Sequence, residues 1–367
     1  ERPIKVDSIK LGENEDIREF IVQNIQPFRL ETDSLLRIKV IEFDGRTYIF
    51  RDMHHVIGDR ISNDLLYDKI KKAYNDEPFT TNEIQYKDYA FWVKNQQANE
   101  ADYWKSKELS ESGTVLMTDF ERPLNMTFNG SKIAYNLDKE IIEKQARDNN
   151  TSVYKLLLLQ FCVLLHKYTD ESNIQIGIVT SERPHPVLKK TLGMFVNTLP
   201  FAQTLCGGDT LKETLMKTEE ELANLLANQN YSIEQIVEDH NMSTNNSFNP
   251  LFGIAFVHNT VDAFDNDFEW NGSKLDLTCT IKNSPSDLTV EFDYNSDLYS
   301  FEKINGLLGH YINLIDAIGE NMGRKIDDID ILSSGERERI MGMAGVKEDL
   351  KYDSILTALK EQIAKNP

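Results

Sequence analysis

The sequence predicts an α/β fold in which strands and helices alternate irregularly along the chain. Short runs of apolar and β-branched residues bounded by turn residues indicate strands, and longer segments with apolar residues three and four positions apart indicate helices. No period of 20–50 residues recurs, so the chain is not a solenoid. Hydrophobic residues make up 40% and charged residues 27% of the chain, which is typical of a globular protein.

The strands begin with a hairpin. Residues 35–40 and 47–50 flank Asp44 and Gly45, a pair that favours a tight turn between antiparallel strands. Four further strands are predicted at residues 133–137, 174–179, 251–257 and 288–294. We expect the segment 174–179, which is rich in isoleucine, to be central in its sheet.

The helices are recognised by their apolar spacing. Ile61, Leu65, Leu66 and Ile70 place one apolar face on a helix over residues 61–73. The other predicted helices are 86–104, 138–149, 152–168, 210–228 and 301–318. Residues 152–168 are almost entirely apolar, so this helix should be buried on most sides. The segment 108–125 shows no periodicity and is predicted to separate two subdomains.

Composition excludes several classes of function. The chain carries 40 basic and 60 acidic residues, a net charge of −20, which argues against nucleic acid as a partner. Three widely separated cysteines, Cys162, Cys206 and Cys279, suggest neither a disulfide framework nor a zinc site. No apolar stretch is long enough to span a membrane and the first residues do not resemble a signal peptide, so we expect a cytoplasmic location.

One short stretch carries residues suited to catalysis. His54 and His55 follow a predicted strand, and Asp59 comes four residues after the second histidine. Histidine has an ordinary pKa near neutrality and can take up and return a proton. Because neighbouring strand residues point to opposite faces, one imidazole should face a cleft and the other should be structural. Adjacent histidines without an acidic cluster do not predict a metal site.

Several stretches together resemble the condensation domains of nonribosomal peptide synthetases, in the chloramphenicol-acetyltransferase-like superfamily. His54 to Arg60 is similar to the family signature HHxxxDG. Four other segments match family motifs in the expected order: YKDYAFW at 86–92, GMFVNTLP at 193–200, NPLF at 249–252 and ILSSGE at 331–336. Residues 355–367 resemble the first helix of an adenylation domain.

The resemblance implies two acetyltransferase-like subdomains that face each other across a central tunnel. It places the N-terminal subdomain at 1–120, incomplete at its start because two family motifs are not present in full. The C-terminal subdomain would be 121–345, followed by a linker and the start of an adenylation domain at 346–367.

The implied activity is amide bond formation between two carrier-bound units. The amine of an acceptor aminoacyl group would attack the thioester of a donor acyl group. The implied partners are upstream and downstream peptidyl carrier domains, which deliver phosphopantetheine, and an adenylation domain on the same polypeptide. No metal and no covalently bound cofactor are expected, and no cysteine is expected to act as a nucleophile, because Cys162 lies in an apolar helix.

The resemblance also assigns roles to individual residues. His55 would act as a general base or orient the attacking amine, and both roles stay open. His54 is expected to be structural. Asp59 is expected to organise a loop through an ion pair with Arg183. The aromatic residues of 86–92 are expected to belong to the core.

Four residues are predicted to line the substrate channel: Gly58, Arg60, Asn197 and Asn259. Arg60 departs from the family, which has glycine at this position, and it could crowd or charge the channel. Three alternatives follow: a catalytically impaired docking domain, an epimerisation domain, and a free-standing acyltransferase that uses coenzyme A. The adenylation-like end argues against the last two, and the stretch 193–200 also argues against epimerisation. Ile61 and Ser62 slightly favour a donor of L configuration.

Overall fold

The computed structural model describes residues 4–12, 14–79, 84–181, 183, 185–260, 272–319, 321–343, 352 and 354–365. Most of the linker predicted to precede the adenylation-like helix lies outside these residues. The described chain contains two β-sheets, and each sheet has its own apolar core.

The N-terminal sheet has three strands, β1 (Val6–Lys10), β2 (Leu36–Phe43) and β3 (Arg46–Met53). β1 is parallel to β2, which pairs with β3 as the predicted hairpin. Asp44 and Gly45 both have positive φ, 48° and 68°, as a two-residue hairpin turn requires. Helix α1 (Ile17–Asn24) packs Phe20 and Ile21 against a small core around Ile41 and Phe50, and α2 (Arg60–Tyr74) follows β3.

The C-terminal sheet has six strands in the order β4-β9-β8-β7-β5-β6. The strands are β4 (Gly130–Leu137), β5 (Asn173–Ser181), β6 (Val196–Thr204), β7 (Ile254–Thr260), β8 (Leu277–Asn283) and β9 (Leu288–Asn295). The pairs β5-β7 and β7-β8 are parallel, and the other pairs are antiparallel. This mixed arrangement confirms the α/β fold class.

The remaining helices are α3 (Tyr86–Ser106), α4 (Lys139–Asp148), α5 (Val153–Thr169), α6 (Leu211–Ala227), α7 (Ile233–Asp239), α8 (Phe301–Gly319), α9 (Ser334–Met343) and α10 (Ile355–Lys365). α5 is central: all ten residues from 156 to 165 are buried, as its apolar sequence predicts. It begins where the Ser152 side chain accepts a hydrogen bond from the backbone N–H of Lys155, and it ends at Asp170 in the left-handed conformation.

The long helix α3 contacts residues that lie far from it in the sequence. Trp104, near its end, is fully buried in the larger core, and its indole N–H donates to the carbonyl of Asn228. Glu100 accepts from the backbone N–H groups of Asn230 and Tyr231. Leu116 also belongs to this core. Because Trp104 and Leu116 pack in the larger core, packing favours a C-terminal subdomain that begins before residue 121. The boundary between residues 120 and 121 stays a prediction.

Some sequence predictions need correction. The strand predicted from residue 251 begins at Ile254, because the Asn249 side chain accepts from the N–H of Leu251 and folds residues 249–252 into a turn. Phe91 and Trp92 are exposed rather than core residues. The elements that were not predicted are β1, α1, β6, α7, β8 and α9.

Within the described residues no helix is long and apolar enough to cross a membrane, and no group of His, Cys, Asp and Glu is suited to hold a metal ion. All three cysteines are unpaired, with Cys162 and Cys279 buried and Cys206 exposed.

Candidate active site

The two histidines lie where β3 ends and a short 3-10 turn, His55–Ile57, begins. His54 caps this turn: its Nδ1 accepts a hydrogen bond of 3.1 Å from the N–H of Val56. Its ring also meets the edge of Phe28 with centroids 5.8 Å apart. Both contacts hold the local backbone, and His54 accordingly has a structural environment.

His55 has the opposite environment. Its side chain is exposed, and its Nδ1 lies 3.1 Å from the sulfur of Met194. Among the described residues Nε2 has no hydrogen-bond partner, so it can contact a substrate. The pair therefore divides as the alternation of strand residues predicts, with one imidazole holding the turn and one left accessible.

Asp59 is buried directly beneath this turn, where it caps α2. Its Oδ1 accepts from the N–H of Ser62 at 2.7 Å, and its Oδ2 accepts from the N–H of Phe195 at 3.1 Å. Oδ1 also accepts from Nη2 of Arg183 at 2.9 Å. The carboxylate is 1% exposed and the guanidinium 4% exposed, so the predicted ion pair is present and almost completely removed from water.

Arg183 is fixed on every side. Its Nη1 donates to the carbonyl of Leu188 at 2.7 Å and to that of Thr191, and its Nη2 donates to the hydroxyl of Ser62 at 3.0 Å. The guanidinium stacks over the ring of Phe195 at 4.1 Å. Nε is the one buried nitrogen of this side chain without a hydrogen-bond partner in the described part of the chain. These contacts hold the guanidinium in one place beside Asp59.

Ser62 and Gly193 join the histidine turn to the segment 193–200. The Ser62 hydroxyl donates to the carbonyl of Gly193 at 2.7 Å, and the N–H of Gly193 approaches the same hydroxyl at 2.9 Å. A Cβ at residue 193 would overlap the ring of Tyr86, so only glycine allows this approach. The Tyr86 hydroxyl donates to the carbonyl of Met194 at 2.7 Å. The sequence analysis did not predict these contacts, which hold the backbone of the residue whose sulfur lies next to His55.

The predicted channel residues fall into different environments. Gly58 is buried, and a Cβ there would meet the terminal methyl of Met53 at 2.8 Å, so it does not line an open space. Asn197 donates from Nδ2 to the carbonyls of Gln229 and Tyr231 at 2.9 and 3.1 Å, which anchors the loop before α7. Asn197 also lines a cavity of about 210 Å³ beside Met194.

Arg60 and Asn259 share a second, larger cleft of about 420 Å³. Thr180 and Val196 line both cavities, so the two spaces are neighbours at the start of β6. His258 also lines the larger cleft, and the surrounding protein lowers the pKa of its imidazole. The sequence analysis missed His258, although it directly precedes Asn259.

Comparisons with known proteins agree with this geometry. The condensation-domain family model matches residues 1–341. The chain is 30% identical to bacitracin synthase 1 of Bacillus licheniformis over 89% of its length and 7% of that protein. It is also 30% identical to surfactin synthase subunit 2 of Bacillus subtilis, over 90% of its length and 10% of that protein. The chain thus spans a tenth or less of these two relatives.

Solved structures share the fold. A four-domain nonribosomal peptide synthetase with AMP and glycine bound superposes on 99% of this chain and 31% of that chain, with a TM-score of 0.79 at 21% identity. The X-domain from teicoplanin biosynthesis covers 90% of this chain and 82% of that chain, with a TM-score of 0.78 at 17% identity. The family predicted from the motifs is thereby confirmed, and the chain belongs to the condensation domain family.

Proposed function

We propose that this chain catalyses formation of an amide bond between a donor acyl thioester and the amine of an acceptor aminoacyl group, each tethered to a carrier domain. The observation that carries the proposal is the pair of environments at the end of β3. An accessible His55 imidazole is held over Met194 by a backbone that the buried Asp59–Arg183 ion pair fixes. Membership of the family supports the same reaction.

The reaction needs one proton to be moved. The acceptor nitrogen attacks the thioester carbonyl carbon, the C–N bond forms, and the C–S bond then breaks to release a thiolate. The nitrogen loses one proton and the sulfur gains one. Nε2 of His55 is free to accept the proton from nitrogen as a general base, or to hold the amine in line by accepting a hydrogen bond. In both roles the imidazole must contact the attacking nitrogen.

Asp59 is excluded as the base by its contacts. Its carboxylate accepts three hydrogen bonds and is 1% exposed, so no substrate atom can reach it. Its function is positional: through Ser62 and Phe195 it connects the histidine turn to the segment 193–200. Arg183 supplies the charge that compensates the buried carboxylate.

The two cavities offer separate sites for the donor unit and the acceptor unit. The smaller one borders Met194, which contacts His55, and the larger one borders Arg60. We infer that the two tethered units occupy these neighbouring cavities, whose walls share Thr180 and Val196. Positioning of both reactants lowers the entropic cost of their reaction.

The partners belong to the same proposal. We infer upstream and downstream carrier domains that deliver phosphopantetheine, and an adenylation domain that continues from α10. The multidomain synthetases related to this chain support that arrangement. Three unpaired cysteines are consistent with the cytoplasmic location that we propose.

A docking function without catalysis is the second candidate, because Arg60 replaces the glycine of the family signature. The X-domain from teicoplanin biosynthesis, which shares this fold, was solved as a complex with OxyB. In this chain, however, Arg60 lines the larger cleft, and the Asp59–Arg183 ion pair is present beside it. Because the contacts around His54 and Asp59 are intact, we favour the catalytic function over docking alone.

The test is reconstitution. The chain is mixed with two separate carrier proteins, one loaded with an N-acylated aminoacyl thioester and the other with an aminoacyl thioester. Mass spectrometry of the acceptor carrier should show the amide, with an equal loss of donor thioester. Amide formation that is no faster than in the same mixture without the chain would overturn the proposal. Run in deuterium oxide, the same reaction excludes epimerisation when the α-position gains no deuterium.

A further inference from the structure

The larger cleft has an unusual charge distribution for this protein. The chain holds 60 acidic residues, yet none is among the twelve residues that line this cleft. Seven of the twelve are aliphatic, and Arg60 is the one charged side chain among them. An arginine that serves only to keep the protein surface hydrated does not require an aliphatic wall beside it.

The Arg60 guanidinium is not neutralised by its neighbours. Asp59, the adjacent residue, is turned away from the cleft into the ion pair with Arg183. Among the described residues Arg60 forms no ion pair, although the exposed side chain has several donor groups.

The other polar groups of the cleft can also donate hydrogen bonds. Tyr154 presents a hydroxyl whose pKa is raised by burial, so it stays protonated. His258 lies beside it with ring centroids 5.5 Å apart, and Asn259 contributes an amide. The cleft therefore combines an aliphatic surface with one cation and several donors, and none of the described residues that line it is acidic.

We infer that this cleft selects a substrate unit that carries a carboxylate beyond its reacting group, and that Arg60 is the residue that determines this specificity. The inference rests on the proposed amide-forming function. A carboxylate brought against an aliphatic wall loses hydration, and this loss is costly unless a cation and donors replace the water. Charge-assisted hydrogen bonds from a guanidinium provide that replacement. A neutral amide of the same shape gains much less from Arg60.

Both tethered units are candidates for the carboxylate, and the experiment separates them. In the acceptor arm, aspartyl and asparaginyl carriers compete in equal amounts for a neutral acetyl-alanyl donor. In the donor arm, acetyl-aspartyl and acetyl-asparaginyl carriers compete for a glycyl acceptor. The product ratio, measured by mass spectrometry, does not depend on the amount of folded enzyme.

We expect the aspartyl product to dominate in one arm, and Arg60→Gln to lower that ratio about tenfold. Arg60→Glu should reverse the preference. Arg147→Gln is the matched control, because Arg147 is 68% exposed on α4 and lies outside the cleft. Its ratio should equal that of the unmodified chain.

Two results would overturn the inference. The first is a product ratio unchanged by both Arg60 variants in both arms. The second is an unmodified chain that shows no preference for the aspartyl unit in either arm, since the cleft would then not select a carboxylate.

Failure of the proposed function is distinguishable from failure of this inference. If the unmodified chain forms no amide with any pair, the reaction is wrong. Selection is then measured by titration calorimetry with carriers that hold aspartyl or asparaginyl groups through an unreactive amide linkage. Tighter binding of the aspartyl carrier, abolished by Arg60→Gln, upholds the inference, and equal affinities reject it.

Discussion

Asp59 and Arg60 are neighbours in sequence and opposites in environment. The Asp59 carboxylate is 1% exposed and shared among Arg183, Ser62 and Phe195. The Arg60 side chain is exposed at the cleft and forms no ion pair within the described residues. The difference teaches that one short stretch performs two tasks. Its buried residue holds the histidine turn against the segment 193–200, and its exposed residue is the one that we propose for substrate selection.

The largest effect is expected where the buried charges are separated. Arg183→Ala leaves the Asp59 carboxylate without its cation, which should lower the free energy of unfolding by about 3–5 kcal/mol. Urea titration followed by circular dichroism measures this loss. Lys72→Ala is the matched control: the Lys72–Asp68 pair has a similar distance of 2.8 Å but is 39% and 54% exposed, so its loss should cost at most about 1 kcal/mol. Equal losses in the two variants would deny any special role to burial.

A smaller effect is expected where the histidine turn meets the segment 193–200. Gly193→Ala places a methyl group into the ring of Tyr86, and relief of that overlap should cost about 1–3 kcal/mol. Thermal unfolding would show the loss. Gly208→Ala is the control, because nothing lies within 4 Å of its Cβ position. If the two alanine variants unfold at the same temperature, the close packing at Gly193 is not real.

The smallest effect on stability is expected at Arg60. Arg60→Gln removes an exposed charge that has no partner in the described structure, so the free energy of unfolding should change by less than about 0.5 kcal/mol. The same urea titration tests this. A loss above 1 kcal/mol would place Arg60 in the structural network with Asp59 and would undermine its assignment to substrate selection.

The sequence predicted most of the regular structure for identifiable reasons. The apolar run in α5 and the Asp44-Gly45 turn are local signals that tertiary packing does not override. β8 was missed although its sequence is apolar and β-branched, and α7 was missed because it has only seven residues. Phe91 and Trp92 were assigned to the core from composition, but α3 turns their side chains outward.

The sequence predicted only those site residues that lie in or near a recognised motif. The motif resemblance paired Asp59 with Arg183 across 124 positions. It did not include Ser62, whose contact with Gly193 spans 131 positions, because a single serine in a helix carries no signal of a distant partner. His258 was missed for a related reason. It is an exposed residue near the end of β7, and its place at the cleft follows from contact with the distant Tyr154, which the sequence does not reveal.

The most direct test of the central claim compares the two histidines. His55→Ala should lower kcat/KM for amide formation by about 10²–10⁴ while the unfolding temperature stays that of the unmodified chain. His54→Ala should instead lower the unfolding temperature, because it removes the cap of the turn and the contact with Phe28. Amide formation by His55→Ala at a rate within twofold of the unmodified chain would contradict the account.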